Sequence, residues 1–190
     1  LVGHSWGAML ALACAAAHPG SAGPVVLIGC GTFDKASRAR IDEIRNEHMD
    51  DELRERMARL DQESLDSEDR LKRKYELIGY LDSYDPAFAK DELAEPFDMR
   101  AHKETWEDML RLQEEGIYPA AFAAIESPVL MLHGSYDPHP GRMIRDSLEP
   151  YIPHIEYYEL ERCGHEPWLE RAARGAFFSV LSDWLIRQFA

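Results

Sequence analysis

The chain has 190 residues, enough for one well-packed domain, and carries a formal net charge of -14 from 21 basic and 35 acidic residues. This acidic balance disfavours nucleic acid and anionic membrane surfaces as partners, because both are polyanions that proteins bind through Lys and Arg. No apolar run approaches the ~20 residues that a membrane-spanning helix needs. The composition therefore predicts an ordinary globular protein that binds neither nucleic acid nor membranes.

The three cysteines, Cys14, Cys30 and Cys163, are far apart and lie among apolar or small residues. No C-x-x-C pair is present, so the pattern gives no support for a zinc ribbon or a thioredoxin-type motif. An odd number of cysteines in apolar contexts is typical of buried thiols in a reducing compartment. The cysteines therefore predict a cytoplasmic protein.

The first 33 residues combine strand and helix patterns. The chain starts without a Met or a signal peptide, and Leu1 and Val2 are typical of the end of an apolar strand. We therefore expect an N-terminally truncated fold, with strands that precede Leu1. Residues 6–18 are nearly all small or apolar and end at a His-Pro-Gly stop, which predicts a buried helix. Residues 24–29 are typical of a strand covered on both faces.

Between residue 34 and about residue 119 the sequence becomes charged and helical. Apolar residues recur at three- and four-residue spacings among Arg and Glu, for example at Leu53, Met57 and Leu60. The charged runs of this segment are typical of solvated helix faces. A helical segment of this length, inserted after a strand, predicts a cap over the rest of the domain.

The α/β pattern returns near Ser127. Residues 128–134 predict a second buried strand, residues 142–148 a short helix, and residues 155–160 a strand with alternating polarity. A final helix with one apolar stripe is predicted from about Glu166 to Phe189. Strands that alternate with helices predict an α/β fold, with a mainly parallel sheet flanked by helices.

The sequence GHSWG at residues 3–7 matches the pattern G-x-S-x-G and lies between a predicted strand and a predicted helix. Small residues on both sides let the chain turn sharply, which exposes the Ser5 Oγ above the sheet and close to the helix N-terminus. There the helix dipole and the free backbone N–H of Trp6 favour negative charge on a substrate oxygen. In this context the motif predicts Ser5 as a nucleophile and the Trp6 N–H as an oxyanion donor.

Two further residues follow predicted strands, where the catalytic groups of α/β proteins cluster. Asp137 lies in the turn after residues 128–134, where a carboxylate can orient an imidazole. His165 follows the last predicted strand and can act as a general base toward Ser5. Asp34 also follows a strand and is an alternative acid, although the turn at Asp137 is preferred. The chain order Ser, Asp, His is the order that G-x-S-x-G triads follow.

Other histidines fit this site less well. We expect His4 to pack beside the turn rather than to take part in catalysis. His133 and His139 lie near Asp137 but lack the Gly-His context of residue 165. No H-x-x-x-H or H-E-x-x-H spacing occurs, so neither a metal nor another cofactor is predicted.

Together, the turn at residues 3–7, the sequence HGSYD at 133–137 and the Gly-His pair at 164–165 resemble the second half of an α/β-hydrolase with a helical cap. The resemblance covers the parts of the chain outside the cap. It implies an α/β-hydrolase core over residues 1–33 and 120–190 and a cap over residues 34–119. It also implies that the second oxyanion donor comes from a loop upstream of residue 1.

The resemblance further implies a serine hydrolase that cleaves an ester or amide bond of a small organic substrate through an acyl-enzyme. Ser5, His165 and Asp137 would form its triad. In such proteins the cap shapes the substrate pocket. Candidates for lining that pocket are Trp106, Met109 and Tyr118.

Two alternatives remain open from the sequence. A proline iminopeptidase-like aminopeptidase, acting on a short peptide, would use cap carboxylates to bind the free amine of its substrate. The carboxylates available for this are Glu104, Glu107, Glu114 and Glu115. A ligand-binding protein that has the fold but does not catalyse is the second alternative.

Overall fold

The centre of the computed structural model, which describes residues 1–63, 67–87 and 98–190, is a four-stranded sheet. Its strands are β1 (Val2–His4), β2 (Val25–Ile28), β3 (Val129–Gly134) and β4 (Ile155–Leu160), in the order β1-β2-β3-β4. Every neighbouring pair is parallel. The carboxyl ends of all four strands therefore meet at one edge, and the predicted parallel sheet is confirmed.

Helices connect these strands, and one more helix follows the last strand. They are α1 (Trp6–Ala17), α2 (Lys35–His48), α3 (Asp51–Gln62), α4 (Ser67–Leu81), α5 (Met99–Glu114), a 3₁₀ helix (Ala120–Ala124), α6 (Gly141–Leu148) and α7 (Arg174–Phe189). Within the described residues, none of them is both long enough and apolar enough to cross a membrane.

Both faces of the sheet are covered by helices. Alternate residues of a strand point to opposite sides, so a strand buried on both sides contributes to two separate cores. Val25 and Leu27 of β2 belong to a core that includes α1 and α6. Val26 and Ile28 belong to a second core, with the side chain of Trp184 from α7. A strand that is buried on both faces must be apolar throughout, which explains the unbroken run VVLI in β2.

The helices α2 to α5 lie between β2 and β3 in the chain, inside the segment predicted as a cap. The apolar side of α3 packs on α4 through a small cluster of buried leucines, which includes Leu53 and Leu77. Aspartates cap three of these helices, and Asp34 is one of them. Residues 64–66 and 88–97 of the predicted cap lie outside the described residues, and the limits of the three predicted segments stay a prediction.

The last helix begins later than the sequence suggests. The prediction of a helix from Glu166 is wrong for its first eight residues, because α7 starts at Arg174. In the intervening turn the Glu170 side chain is buried, and its carboxylate accepts backbone N–H groups of Tyr84, Asp85 and Gly164 at 2.7–2.9 Å. These long-range hydrogen bonds hold residues 166–173 in a turn against the segment that follows α4.

Trp184 tests the packing of α7 on the sheet. It is fully buried, and its Nε1–H donates to the Glu156 carboxylate at 2.7 Å. Replacing it with alanine removes a large apolar side chain and leaves a cavity, so W184A should lower the free energy of unfolding by about 3–5 kcal/mol in urea denaturation. The matched control is F189A on the same helix, where Phe189 is 76% exposed and the change should stay within about 0.5 kcal/mol. Equal effects of the two substitutions would contradict this placement of α7.

Candidate active site

Ser5 occupies a strained turn between β1 and α1. It is the N-cap residue of α1 and has a φ of 54°, in the left-handed region that the backbone of non-glycine residues rarely adopts. Its backbone N–H donates to the Ile28 carbonyl of β2 at 2.9 Å, which ties the turn to the sheet. Gly3 is required here, since a Cβ would come within 2.1 Å of the Gly7 carbonyl oxygen. Gly7 itself has open space around the position of a Cβ, so only one of the two motif glycines is sterically required by the described residues.

Trp6 is the first residue of α1, so its backbone N–H belongs to the first turn of the helix, where N–H groups lack intrahelical acceptors. The Ser5 side chain precedes this helix terminus directly. Negative charge is favoured at such a terminus, because unpaired N–H groups and the helix dipole both point toward it. The local geometry therefore suits the role of oxyanion donor that the sequence predicts for Trp6.

Asp137 and His165 form a short hydrogen bond between the turns that follow β3 and β4. The distance from His165 Nδ1 to Asp137 Oδ2 is 2.8 Å, and both residues are buried. The structure thus brings together the two residues that the sequence selects as acid and base. Asp34 lies elsewhere, and its carboxylate accepts the backbone N–H of Ser37 at 2.8 Å and the Ser37 hydroxyl at 2.6 Å, as a helix cap does.

The Asp137 carboxylate is fully hydrogen bonded within the protein. Its Oδ2 accepts from His165 Nδ1 and from His133 Nε2 at 3.1 Å. Its Oδ1 accepts from both the backbone N–H and the Nδ1 of His139, each at 2.9 Å. An ionised carboxylate only accepts hydrogen bonds, so each imidazole nitrogen that faces it carries a proton. His165 therefore keeps its Nε2 free of a proton when the ring is neutral, as a general base requires.

The charges of this cluster shift two pKa values in opposite directions. Burial alone would raise the pKa of Asp137, but the imidazoles of His165, His139 and His133 lower it well below its ordinary value of 3.8. Burial alone would lower the pKa of His165, but the negative charge of Asp137 outweighs it and raises this pKa above 6.5. Asp137 therefore stays ionised, and the imidazolium form of His165 is stabilised.

Two further imidazoles lie against the His165 ring. The His139 ring is stacked on it at 4.4 Å between centroids, and the His4 ring is tilted against it at 4.6 Å. Burial lowers the pKa of both, to about 4 for His4. Near neutral pH these two rings are therefore uncharged. His4 packs beside the turn as the sequence predicts, and its Nε2 lies 3.0 Å from the His165 carbonyl oxygen.

A cavity of about 470 Å³ opens beside these residues. Ser5, His139 and His165 all line it. The rest of its wall consists of Trp6, Met9, Gly31, Thr32, Ile41, Arg45, Ile78, Gly79, Asp82, His102, Thr105 and Trp106. Its volume falls within the range of small-molecule sites, and it lies at the carboxyl edge of the parallel sheet, where α/β proteins bind their ligands.

Of the three residues predicted to line a pocket, the structure places one in this cavity. Trp106 lines it from α5. Met109 is buried in the core that covers α1. Tyr118 is stacked on Phe122 and lines a different cavity of about 330 Å³ beside Phe33. Tyr118 lies beyond the end of α5, and only the part of α5 from His102 to Trp106 lines the cavity with Ser5.

The cavity wall contains a paired positive and negative charge. The Arg45 Nε and Nη2 groups of α2 donate to the two carboxylate oxygens of Asp82 at 2.9 and 2.7 Å. The Asp82 carbonyl oxygen accepts the backbone N–H of His165 at 2.7 Å. The end of α4 therefore joins the cavity wall to the loop that carries the candidate base.

Gly29 allows the approach of His165 to the sheet. It follows β2 with a φ of 51°, and a Cβ at this position would lie 2.9 Å from His165 Nδ1. A side chain here would displace the imidazole from Asp137. Gly29, His139 and Asp82 are parts of the site that sequence reasoning missed. A glycine at the end of a buried strand was the one local signal for Gly29, whereas Asp82 is brought to the site only by folding.

Asp137, His139 and His165 are also a group whose nitrogen and oxygen atoms lie within 4.8 Å of one another, a spacing found in metal sites. The Nδ1 atoms of His139 and His165 already donate to the Asp137 carboxylate. The two rings are stacked with an angle of 21° between their planes. The cluster suits proton transfer better than metal ligation.

Comparisons with known structures agree with this architecture. VinJ matches with a TM-score of 0.63 at 18% identity, over 99% of this chain and 65% of the other. A proline iminopeptidase from Mycobacterium smegmatis gives 0.60 at 16% identity, over 98% and 64%. A thermostable carboxyl esterase from Bacillus coagulans gives 0.54 at 16% identity, over 100% and 64%. The chain thus shares its fold with these proteins and spans 64–65% of their length.

No curated protein sequence matches the chain significantly. The sequence model of the alpha/beta hydrolase family, in contrast, matches residues 1–176. This match includes the Ser5 turn, the Asp137 turn and the His165 loop, together with all four strands. The chain belongs to the alpha/beta hydrolase family.

Proposed function

We propose that this chain carries the triad of a serine hydrolase that cleaves an ester bond of a small, uncharged organic substrate. The observation that carries the proposal is the buried hydrogen bond of 2.8 Å between His165 Nδ1 and Asp137 Oδ2, beside a cavity that Ser5 also lines. Membership in the family supports hydrolysis as the reaction class. The choice of substrate rests on the cavity wall.

In the proposed reaction the Ser5 Oγ attacks the substrate carbonyl carbon while its proton passes to His165 Nε2. The tetrahedral intermediate places its oxyanion near the Trp6 N–H at the start of α1. Asp137 stabilises the imidazolium by its fixed charge. His165 then returns the proton to the leaving alcohol, and the C–O bond to that alcohol breaks. Water, activated in the same way, hydrolyses the acyl-enzyme and regenerates Ser5.

The wall of the cavity favours uncharged groups. Apolar side chains from α1, α2, α4 and α5 face it, and they include Met9, Ile41 and Trp106. The ion pair between Arg45 and Asp82 in this wall is neutral as a unit. An apolar acyl or alkyl part of a substrate therefore gains free energy when it moves from water into this cavity.

The aminopeptidase alternative has less support from the cavity. The four glutamates considered for binding an amine are exposed on or just after α5, where each lies in an ion pair with a basic side chain (Glu104, Glu107, Glu114 and Glu115). None of them lines the cavity at Ser5. Asp82 is the only carboxylate that does so among the described residues, and Arg45 already neutralises it.

A ligand-binding role without catalysis remains the second alternative. The strained backbone of Ser5 and the buried charge of Asp137 both cost free energy to maintain, and a binding protein gains nothing from either. These features favour the enzyme. Labelling of the serine by an electrophile separates the two roles.

The protein carrying this chain should react with a fluorophosphonate probe at Ser5, because His165 can remove the hydroxyl proton. S5A should abolish labelling completely, whereas S21A, in an exposed turn, should label like the unchanged protein. D137N should slow labelling by several orders of magnitude, since an amide does not stabilise the imidazolium. D34N should leave the labelling rate unchanged, because Asp34 only caps α2. Undiminished labelling of S5A in folded protein would refute the assignment.

Labelling should also depend on pH with a defined sign. Only neutral His165 accepts the Ser5 proton, and the Asp137 charge raises the pKa of His165 above 6.5. The rate should therefore be low in acid and increase with pH, with an apparent pKa above 6.5. Asp137 stays ionised over this range and adds no second step. A rate that decreases as the pH rises toward 8 would show that another group controls the reaction.

The substrate class can be tested with two chromogenic compounds. The neutral ester p-nitrophenyl acetate should be hydrolysed, because it fits an uncharged cavity. Prolyl-p-nitroanilide should be a poor substrate, because the cavity offers no unpaired carboxylate for its amine among the described residues. Its N-acetylated form controls for the amine. Efficient cleavage of the free prolyl amide that is lost on acetylation would instead establish the aminopeptidase.

A further inference from the structure

The two oxygens of the Asp137 carboxylate have different partners. Oδ2 faces the His165 ring, which is the side used in the proposed reaction. Oδ1 faces His139, which provides two donors to it, the backbone N–H and the side-chain Nδ1, each at 2.9 Å. The orientation of the carboxylate plane is therefore set by His139 on one side and by His165 on the other.

The remaining imidazole partner is a weaker donor. The His133 Nε2 lies 3.1 Å from Asp137 Oδ2 and 2.9 Å from the His139 carbonyl oxygen, so one N–H is shared by two acceptors. The His133 Nδ1 is buried and has no hydrogen-bond partner among the described residues, so this ring offers the carboxylate only the shared Nε2–H. Among side chains other than His165, His139 thus makes the stronger hydrogen bond to the carboxylate.

The surroundings of His139 keep its Nδ1 proton directed at Asp137. Its ring is stacked at 4.4 Å on the His165 ring, which fixes its plane. Burial, His165 and Arg45 disfavour a positive charge on His139, and Asp137 favours one. The pKa of His139 lies below 6.5 on balance, so near neutral pH the ring carries a single proton. Because the ionised Asp137 carboxylate can only accept a hydrogen bond from the Nδ1 that faces it, that proton resides on Nδ1.

We propose that His139 is a positioning residue of the triad, whose Nδ1–H holds Oδ1 of Asp137 and thereby aims Oδ2 at His165. The inference rests on the proposed function, since it assigns a role within the same triad. It assigns to His139 no contact with the reacting atoms. Without this donor the buried carboxylate has one free acceptor site and can rotate to share its remaining donors, which weakens its hold on the His165 imidazole.

Asparagine and leucine at position 139 form a matched pair of variants. They have nearly the same shape and both retain the backbone N–H, but only the amide of asparagine can replace the Nδ1–H donor. H139L should reduce the rate constant of fluorophosphonate labelling about ten- to a hundredfold, as expected for loss of a hydrogen bond to a charged group. H139N should stay within about threefold of the unchanged protein. Rescue by the donor, rather than by the shape, identifies the positioning role.

Proton NMR of the imidazole N–H groups provides a second measurement that does not depend on activity. The His165 Nδ1–H should give a strongly downfield resonance because of its short bond to Asp137. This resonance should keep its position in H139N and should shift upfield or broaden in H139L. Backbone amide spectra recorded alongside show whether each variant is folded.

The outcomes separate this inference from the proposed function. If the unchanged protein is not labelled, the hydrolase proposal fails, while the NMR comparison still decides the role of His139. Equal rates in the unchanged protein and in H139L, with an unshifted His165 resonance, would overturn the inference. Equal loss in H139N and H139L would overturn it as well, because shape rather than hydrogen bonding would then explain the effect.

Discussion

A negative charge buried inside a protein is stable only when nearly all of its acceptor sites are occupied, and Asp137 is such a charge. Its four donors come from the end of β3, the turn that follows β3 and the loop that follows β4. These three pieces of chain have to converge on one carboxylate. The position of His165, and with it the geometry proposed for catalysis, follows from that requirement.

Convergence at this edge depends on the absence of side chains at the ends of the strands. A Cβ on Gly134 would lie 2.2 Å from the Cys163 carbonyl oxygen, and one on Gly29 would lie 2.9 Å from His165 Nδ1. Parallel pairing brings the strand ends together, and the glycines then let the loops touch. The same edge positions Ser5, whose backbone is fixed to β2 through Ile28.

Much of this arrangement could be predicted from local patterns. β2 and most of β3 are apolar runs and β4 alternates in polarity, and Ser5, Asp137 and His165 each lie within five residues of a strand end, so chain order and strand ends were sufficient to select them. What could not be predicted depends on pairs distant in sequence. The Glu170 carboxylate accepts the backbone N–H of Tyr84, 86 residues earlier in the chain, and α7 therefore begins later than predicted. His139 is only two residues from Asp137, yet the role proposed for it depends on the direction of its ring, which no sequence pattern reports.

The double role of Asp82 has a consequence for changing the substrate preference of the protein. Its side chain holds Arg45 in the cavity wall, while its backbone carbonyl holds the N–H of His165. A substitution that removes the Asp82 carboxylate would therefore leave Arg45 without its partner at the same residue whose backbone holds the His165 loop. Thr105 and Trp106 line the same cavity from α5. Substitutions at these two positions would change the cavity wall without removing the hydrogen bond between the Asp82 carbonyl oxygen and the His165 N–H.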